Sequence, residues 1–229
     1  MRAVWQFVGR SDALSQLAAA YDAVAGSAGR LGRAPAGLAL VTGEAGMGKT
    51  ALLTRFAADI AARGGRPVWG TCWDADQAPA LWPWTQVVRT VLDEGPRGAV
   101  DPELAVVVPE LGPATVATGA ADAARLRVFD AVGRLLARAA GERPLAVILD
   151  DLQWTDLSTV DLMRFLTVTP YGGAVLLVGA YRPDELAADT AAALAGLAAA
   201  GRPVPLRGLS AAEIGELVEA AATRSSPAS

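Results

Sequence analysis

Short continuous apolar runs and longer stretches of helical periodicity take turns along this chain. Leu38 to Val41, Pro67 to Cys72, Leu145 to Leu149 and Ala174 to Ala180 are apolar runs of strand length. Runs of that kind without polar interruption are expected of strands buried on both faces of a parallel sheet. Between them the apolar spacing changes from continuous to helical. Ser11 is placed to cap a helix carrying Leu14, Leu17, Ala18, Tyr21 and Val24 on one side, fading at Gly26 to Gly37. Thr50 to Arg63 carries Leu53, Phe56, Ala57 and Ile60, and Gly64-Gly65 ends it. Leu126, Phe129, Gly133 and Leu136 share one helical face, with Arg127, Asp130, Arg134 and Arg138 opposite. Asp156 and Ser158 can cap a helix reaching Leu166, and an alanine-rich helix is expected near 187 to 200.

A short last strand at Val204 to Leu206 is followed by Ser210 and Glu213, spaced as a capping box before Ile214, Leu217 and Val218. Two regions are less regular. Trp73 to Trp84 is an aromatic and proline cluster that either closes a hydrophobic layer or faces a ligand or partner; packing is the commoner use of such residues. Residues 93 to 121, rich in Gly, Pro and Ala, read as loop with short helical pieces. Strands alternating with helices predict an α/β fold, a three-layer α/β/α sandwich around a mainly parallel five-stranded sheet. Right-handed crossovers then bring every strand's C-terminal end to one edge, where ligands bind.

The first of these strands breaks into Gly43-Glu44-Ala45-Gly46-Met47-Gly48-Lys49-Thr50, with Ala51 leading on into a helix. Glycines let consecutive backbone N–H groups turn inward as an anion-binding nest, and the helix N-terminus adds partial positive charge. In that frame Lys49 reaches the β- and γ-phosphates of a nucleotide, and the Thr50 hydroxyl is a ligand of a shared Mg²⁺ ion. The four fixed positions of the pattern G-x-x-x-x-G-K-S/T, here Gly43, Gly48, Lys49 and Thr50, arise by chance in roughly one chain in a hundred of this length. Lys49 is also the only lysine among 20 basic residues. A compact ammonium fits between phosphate oxygens where a planar guanidinium does not.

Two further groups are expected at the same edge. The third apolar run ends in Asp150-Asp151, and the fourth in Tyr181-Arg182. Asp150 is placed to hold Mg²⁺ through water, Asp151 to orient or deprotonate the attacking water, and Arg182 to sense the γ-phosphate.

Composition narrows the field. The 229 residues allow one sizeable α/β domain and little more, so residues 1–207 read as the core and 208–229 as the first helix of a truncated lid with a flexible tail. A net charge of −4 gives no basic footprint for nucleic acid, so direct DNA binding by this chain is not expected. The lone Cys72 cannot form an internal disulfide, and without histidine an ordinary zinc site and a histidine base are excluded. No apolar run is long enough to span a bilayer and the N-terminus lacks a signal-peptide core, which predicts a cytoplasmic protein with no membrane partner. The Ala, Gly and Arg bias points to a GC-rich bacterial genome.

Phe7-Val8-Gly9-Arg10, GEAGMGKT at 43 to 50, LAVILDDLQWTD at 145 to 156 and VLLVGAYRPDE at 175 to 185 together resemble the ATPase domain of large LuxR-type, MalT-like bacterial transcriptional regulators. These are signal-transduction ATPases with numerous domains (STAND), relatives of AAA+ ATPases such as the Orc1-like proteins. The resemblance covers most of residues 5 to 220 and implies a P-loop ATPase core that binds ATP or ADP with Mg²⁺. It implies that Val8 and Gly9 lie near the adenine, that Lys49 and Thr50 bind phosphate and Mg²⁺, that Asp150 is the Walker B aspartate and that Arg182 is the sensor arginine. Asp151 stands where hydrolytic AAA+ enzymes usually carry glutamate, which favours a slow nucleotide switch that self-associates or works with other domains of a larger regulator. A motor or loader ATPase of the Orc1-like type and a nucleotide-dead interaction module are the alternatives.

Overall fold

The computed structural model describes residues 9–27, 34–74, 79–95, 100–113, 121–141, 143–211 and 213–215. Five strands form one sheet: β1 (Gly37–Thr42), β2 (Arg66–Thr71), β3 (Leu145–Asp150), β4 (Val175–Tyr181) and β5 (Arg202–Pro205), in the order β2-β3-β4-β1-β5. All four pairings are parallel. The sheet is therefore wholly parallel, with β1, β3 and β4 neighbours at its centre. β5 begins two residues earlier and ends one residue earlier than the sequence pattern suggests. Its two prolines, Pro203 and Pro205, are tolerated because it is an edge strand.

The alternation of side chains along β1, β3 and β4 divides the core in two. Leu38, Leu40, Leu145, Val147, Leu149, Val175 and Leu177 face one side, whereas Ala39, Val41, Ala146, Ile148, Leu176 and Val178 face the other. The second face is covered by α1 (Ser11–Ser27) and α2 (Lys49–Ala62) through Leu17, Tyr21, Leu53, Phe56 and Ile60. The first is covered by α3 (Trp82–Glu94), α4 (Ala121–Ala139), α5 (Leu157–Val168) and α6 (Ala188–Ala198). Burial of both faces is what continuous apolar strands require.

One local expectation changes. In α4 Phe129, Gly133 and Leu136 are buried as a face, but Leu126 is 49% exposed because it lies one turn before the stretch that reaches the core. The described part of residues 93 to 121 carries short helical pieces, as the sequence suggests. Asp93 and Glu94 complete α3, and 3-10 turns span Pro102–Val106 and Pro109–Leu111. Within the tryptophan cluster Trp84 is fully buried and donates from Nε1 to the Thr159 carbonyl at 3.3 Å. Trp73 stays 53% exposed and stacks on Trp82 with ring centroids 5.5 Å apart.

Asp156 is the N-cap of α5, accepting from Thr159 N at 3.0 Å, and it also accepts from Leu81 N at the head of α3 at 3.1 Å. Ser158 lies inside the helix. The capping box after β5 is formed: Ser210 N donates to Glu213 Oε2 at 2.7 Å, and Glu213 N donates to Ser210 Oγ at 3.3 Å. Residues beyond 215, including Leu217 and Val218, lie outside the described residues. Among the described residues no helix is long and apolar enough to cross a membrane.

Candidate functional site

The loop between β1 and α2 takes the backbone form that its glycines allow. Gly46 and Gly48 have φ of +75° and +83°, in the left-handed region where a Cβ is penalised. Gly48 is the residue from which α2 starts. Gly43 is wedged differently: a Cβ there would stand 3.2 Å from Leu206 Cβ and 3.3 Å from Met47 Sδ. Glu44, Ala45, Gly46 and Gly48 are exposed along the loop, Met47 is half-buried, and Ala51 is exposed on the first turn of α2.

Lys49 is buried apart from 6% of its surface, and its Nζ donates to the carbonyls of Gly43 at 2.8 Å and Glu44 at 2.9 Å. The ammonium thus sits inside the curl of its own loop. Burial, and then the nearby Arg182 guanidinium, push its pKa below the usual lysine value. Thr50 Oγ1 donates to Asp150 Oδ2 at 2.6 Å, joining the head of α2 to the end of β3. Asp150 is 3% exposed. Burial raises its carboxyl pKa above the usual range, against the Thr50 hydrogen bond and with the repulsion of Asp151.

Asp151 has a left-handed backbone, φ 57°, and its N–H donates to Asp150 Oδ1 at 3.0 Å. That turn starts a 3-10 helix, Leu152–Trp154, closed by Trp154 N donating to Asp151 O at 3.0 Å. At the end of β4, Arg182 pairs with Glu185 through Nη1 at 2.9 and 3.1 Å, and its Nη2 lies 3.9 Å from Asp151 Oδ1. The Glu185 hydrogen bond holds the guanidinium pKa above its usual value. Among the described residues, Arg182 Nε is buried with no hydrogen-bond partner.

The strand order thus brings Lys49, Thr50, Asp150, Asp151 and Arg182 to one crevice at the C-terminal ends of β1, β3 and β4. Gly9 precedes Arg10, whose side chain touches the glycine loop at the Met47 carbonyl. Gly9 has φ of +72° and faces Glu213, whose Oε1 would lie 2.3 Å from a Cβ at this position. Val8 lies outside the described residues. An open cleft of about 370 Å³ lies beside Gly9, between Arg10 to Ala13 on one side and Pro205 to Gly208 on the other.

Three residues to which the sequence pattern assigns no role in ligand binding belong to this region. Arg10 donates through Nη2 to the Met47 carbonyl at 2.8 Å and through Nη1 to the Arg207 carbonyl. Glu213 accepts from Arg10 N at 3.2 Å. Gln153, 5% exposed, bridges Asp151 and Arg182. Arg10 and Gln153 stand inside the FVGR and DDLQW blocks, but nothing in their spacing marks them as site residues.

The Thr50 hydroxyl and the Asp150 carboxylate are hard oxygen donors in contact, a set that suits Mg²⁺, which takes most of its other ligands from water and phosphate. No cluster of three or more His, Cys, Asp or Glu side chains able to hold a metal exists among the described residues.

Residues 6–178 match the AAA ATPase domain family. The chain belongs to that family. Among solved structures, the domain is similar to the Aeropyrum pernix ORC2 protein in its ADPNP–ADP complexes, with 15% identity and a TM-score of 0.56 over 97% of this chain and 54% of that one. The ADP form of the same protein gives 19% identity and a TM-score of 0.54 over 96% and 54%. Cdc6p from Pyrobaculum aerophilum gives 13% identity and 0.52 over 98% and 52%. The AAA ATPase domain therefore has the P-loop NTPase-like α/β fold of these AAA+ structures and spans about half the length of each. No curated protein matches it.

Proposed function

We propose that this AAA ATPase domain is a nucleotide switch that binds Mg-ATP and hydrolyses it slowly. The observation that carries the proposal is the meeting of Lys49, Thr50, Asp150, Asp151 and Arg182 at one sheet edge, contributed by three neighbouring strands of which β1 is brought beside β4 out of sequence order. The ADPNP and ADP complexes of the similar ORC2 protein support nucleotide as the ligand.

In this reading Lys49 exchanges the Gly43 and Glu44 carbonyls for phosphate oxygens, as the loop amides and the α2 N-terminus receive the phosphate chain. Thr50 and Asp150 hold Mg²⁺, which supplies charge neutralisation on the phosphates. Asp151 orients or deprotonates the attacking water. Arg182 turns from Glu185 toward the γ-phosphate, for which its unpartnered Nε is a ready donor. The shorter reach of Asp151 compared with glutamate makes turnover slow. The cleft beside Gly9 and Arg10 is the place for the base and ribose.

The finer assignment, a switch module of a LuxR-type bacterial transcriptional regulator acting in the cytoplasm through self-association or further domains, rests on the FVGR, DDLQW and AYRPDE blocks. Residues from 208 onward then form the start of a lid. The second reading, a loader of the Orc1-like type, is favoured by the fold shared with ORC2 and Cdc6p. It requires turnover per molecule that rises with protein concentration.

Equilibrium binding of ATP and ADP with Mg²⁺ to wild type and Lys49→Ala, with hydrolysis followed on the same samples, tests the proposal. The variant is expected to lose affinity by on the order of a hundredfold, since a buried charge-assisted contact to phosphate is removed. Equal binding by the two proteins would mean that the nucleotide, if it binds, does so elsewhere.

A further inference from the structure

Gln153 is a nearly buried amide whose two ends are used by two different site residues. Its Nε2 donates to Asp151 Oδ1 at 2.9 Å, and its Oε1 accepts from the backbone N–H of Arg182 at 3.3 Å. Asp151 follows β3 and Arg182 follows β4, so a single side chain spans the ends of two adjacent strands. An amide does this because it carries a donor and an acceptor on one rigid plane; a carboxylate has no donor, and an apolar side chain has neither. The backbone prepares the position. The left-handed turn at Asp151 and the 3-10 helix after it fold the chain back on the sheet, and Leu152, fully buried beside Gly179 of β4, anchors the turn.

We propose that Gln153 is a positioning residue that couples the Asp151 carboxylate to the Arg182 main chain, so that the water-orienting group and the γ-phosphate sensor keep one relative placement. The inference rests on the reading of the site as a nucleotide switch. Gln153 touches neither water nor phosphate in this scheme. It fixes one Asp151 oxygen, and among the described residues it leaves Asp151 Oδ2 without a hydrogen bond. At Arg182 it satisfies the N–H of a residue whose Nη2 approaches Asp151 to 3.9 Å, setting the spacing of the two.

Two variants separate the two ends. Gln153→Met removes both hydrogen bonds at similar volume. Gln153→Glu keeps an acceptor for Arg182 N–H but sets a carboxylate against Asp151. With kcat and the equilibrium dissociation constants of ATP and ADP measured in Mg²⁺, both variants are expected to lose kcat by about ten- to a hundredfold, the range for a catalytic group displaced by up to an ångström. ADP affinity stays within about threefold in both, because the phosphate loop is untouched. The preference for ATP over ADP falls in Gln153→Met and holds in Gln153→Glu. Thermal melting accompanies each measurement. Wild-type kcat retained in folded Gln153→Met would overturn the inference alone, as would loss of ADP affinity in step with kcat, which would mark a purely structural residue. No nucleotide binding by the wild type would overturn the switch reading, and the inference with it.

Discussion

Asp150, proposed above as a Mg²⁺-holding residue, is a buried carboxylate that lowers the stability of the fold when it ionises. Burial raises its carboxyl pKa above the ordinary 3.8 that it has in the unfolded chain. Between those two values the folded state binds more protons, so stability is greatest below the unfolded pKa and declines as pH rises through the folded one. When ionised, the carboxylate is a buried charge answered by a hydroxyl and one backbone N–H. Asp150→Asn keeps an acceptor for Thr50 and removes the charge. It is expected to raise Tm at pH 7 by about 2–4 °C, corresponding to about 1 kcal/mol in a chain of this size, and to lose the Mg²⁺ dependence of nucleotide binding. Melting curves between pH 3.5 and 8 check the sign: the gain should shrink toward acid pH, and a gain independent of pH would show that charge burial is not its cause. Asp150 was legible in the sequence because a carboxylate that closes an apolar parallel strand stands at the edge where ligands bind. Gln153, three residues on, was not, because an amide has a role only once two strand ends are known to adjoin.

The same contrast holds for elements. Strands β1, β3 and β4 and helices α2, α4 and α5 follow from apolar period alone, since strands buried on two faces and helices buried on one leave different patterns. Helix α3 also has its pattern, in Trp84, Val87, Val88 and Val91, all buried. It is obscured by the tryptophans and Pro83 at its start, a proline that a helix accepts in its first turn. Strand order is not in the pattern at all, and order is what carries Asp151 to Arg182.

Element packing in turn holds the turn after β3 in place. At Gly179 of β4 an added Cβ would stand 2.6 Å from Leu152 Cδ1 and 2.8 Å from Leu40 Cδ2, so β4 is narrowed there to seat the residue after Asp151. Gly179→Val should cost about 1–3 kcal/mol by overpacking and displace the Asp151–Gln153 turn. Hydrolysis should therefore fall further than in Val132→Ala, a truncation buried in α4 and of comparable cost to stability. Equal hydrolysis in the two variants at equal Tm loss would separate Gly179 from the site.

At the scale of the whole molecule, three distant parts of the chain meet at one arginine. Arg10 reaches the phosphate loop through the Met47 carbonyl, the segment after β5 through the Arg207 carbonyl, and the capping box through its own N–H on Glu213. Gly9 makes the last contact possible, because any Cβ there would collide with the Glu213 carboxylate. Loop, N-terminal entry and capping box thus share one set of hydrogen bonds, through which a change in one is expected to reach the others. Arg10→Ala removes the two side-chain bonds and leaves the backbone bond to Glu213. Hydrogen exchange should then quicken at the amides of residues 46–51 and of 206–211 together, by about ten-fold for a loss near 1.4 kcal/mol of local stability. Adding Mg-ATP should slow exchange in both segments of the wild type, and in the variant only in the phosphate loop. If the two segments respond separately in the wild type, Arg10 links them in space but does not couple them.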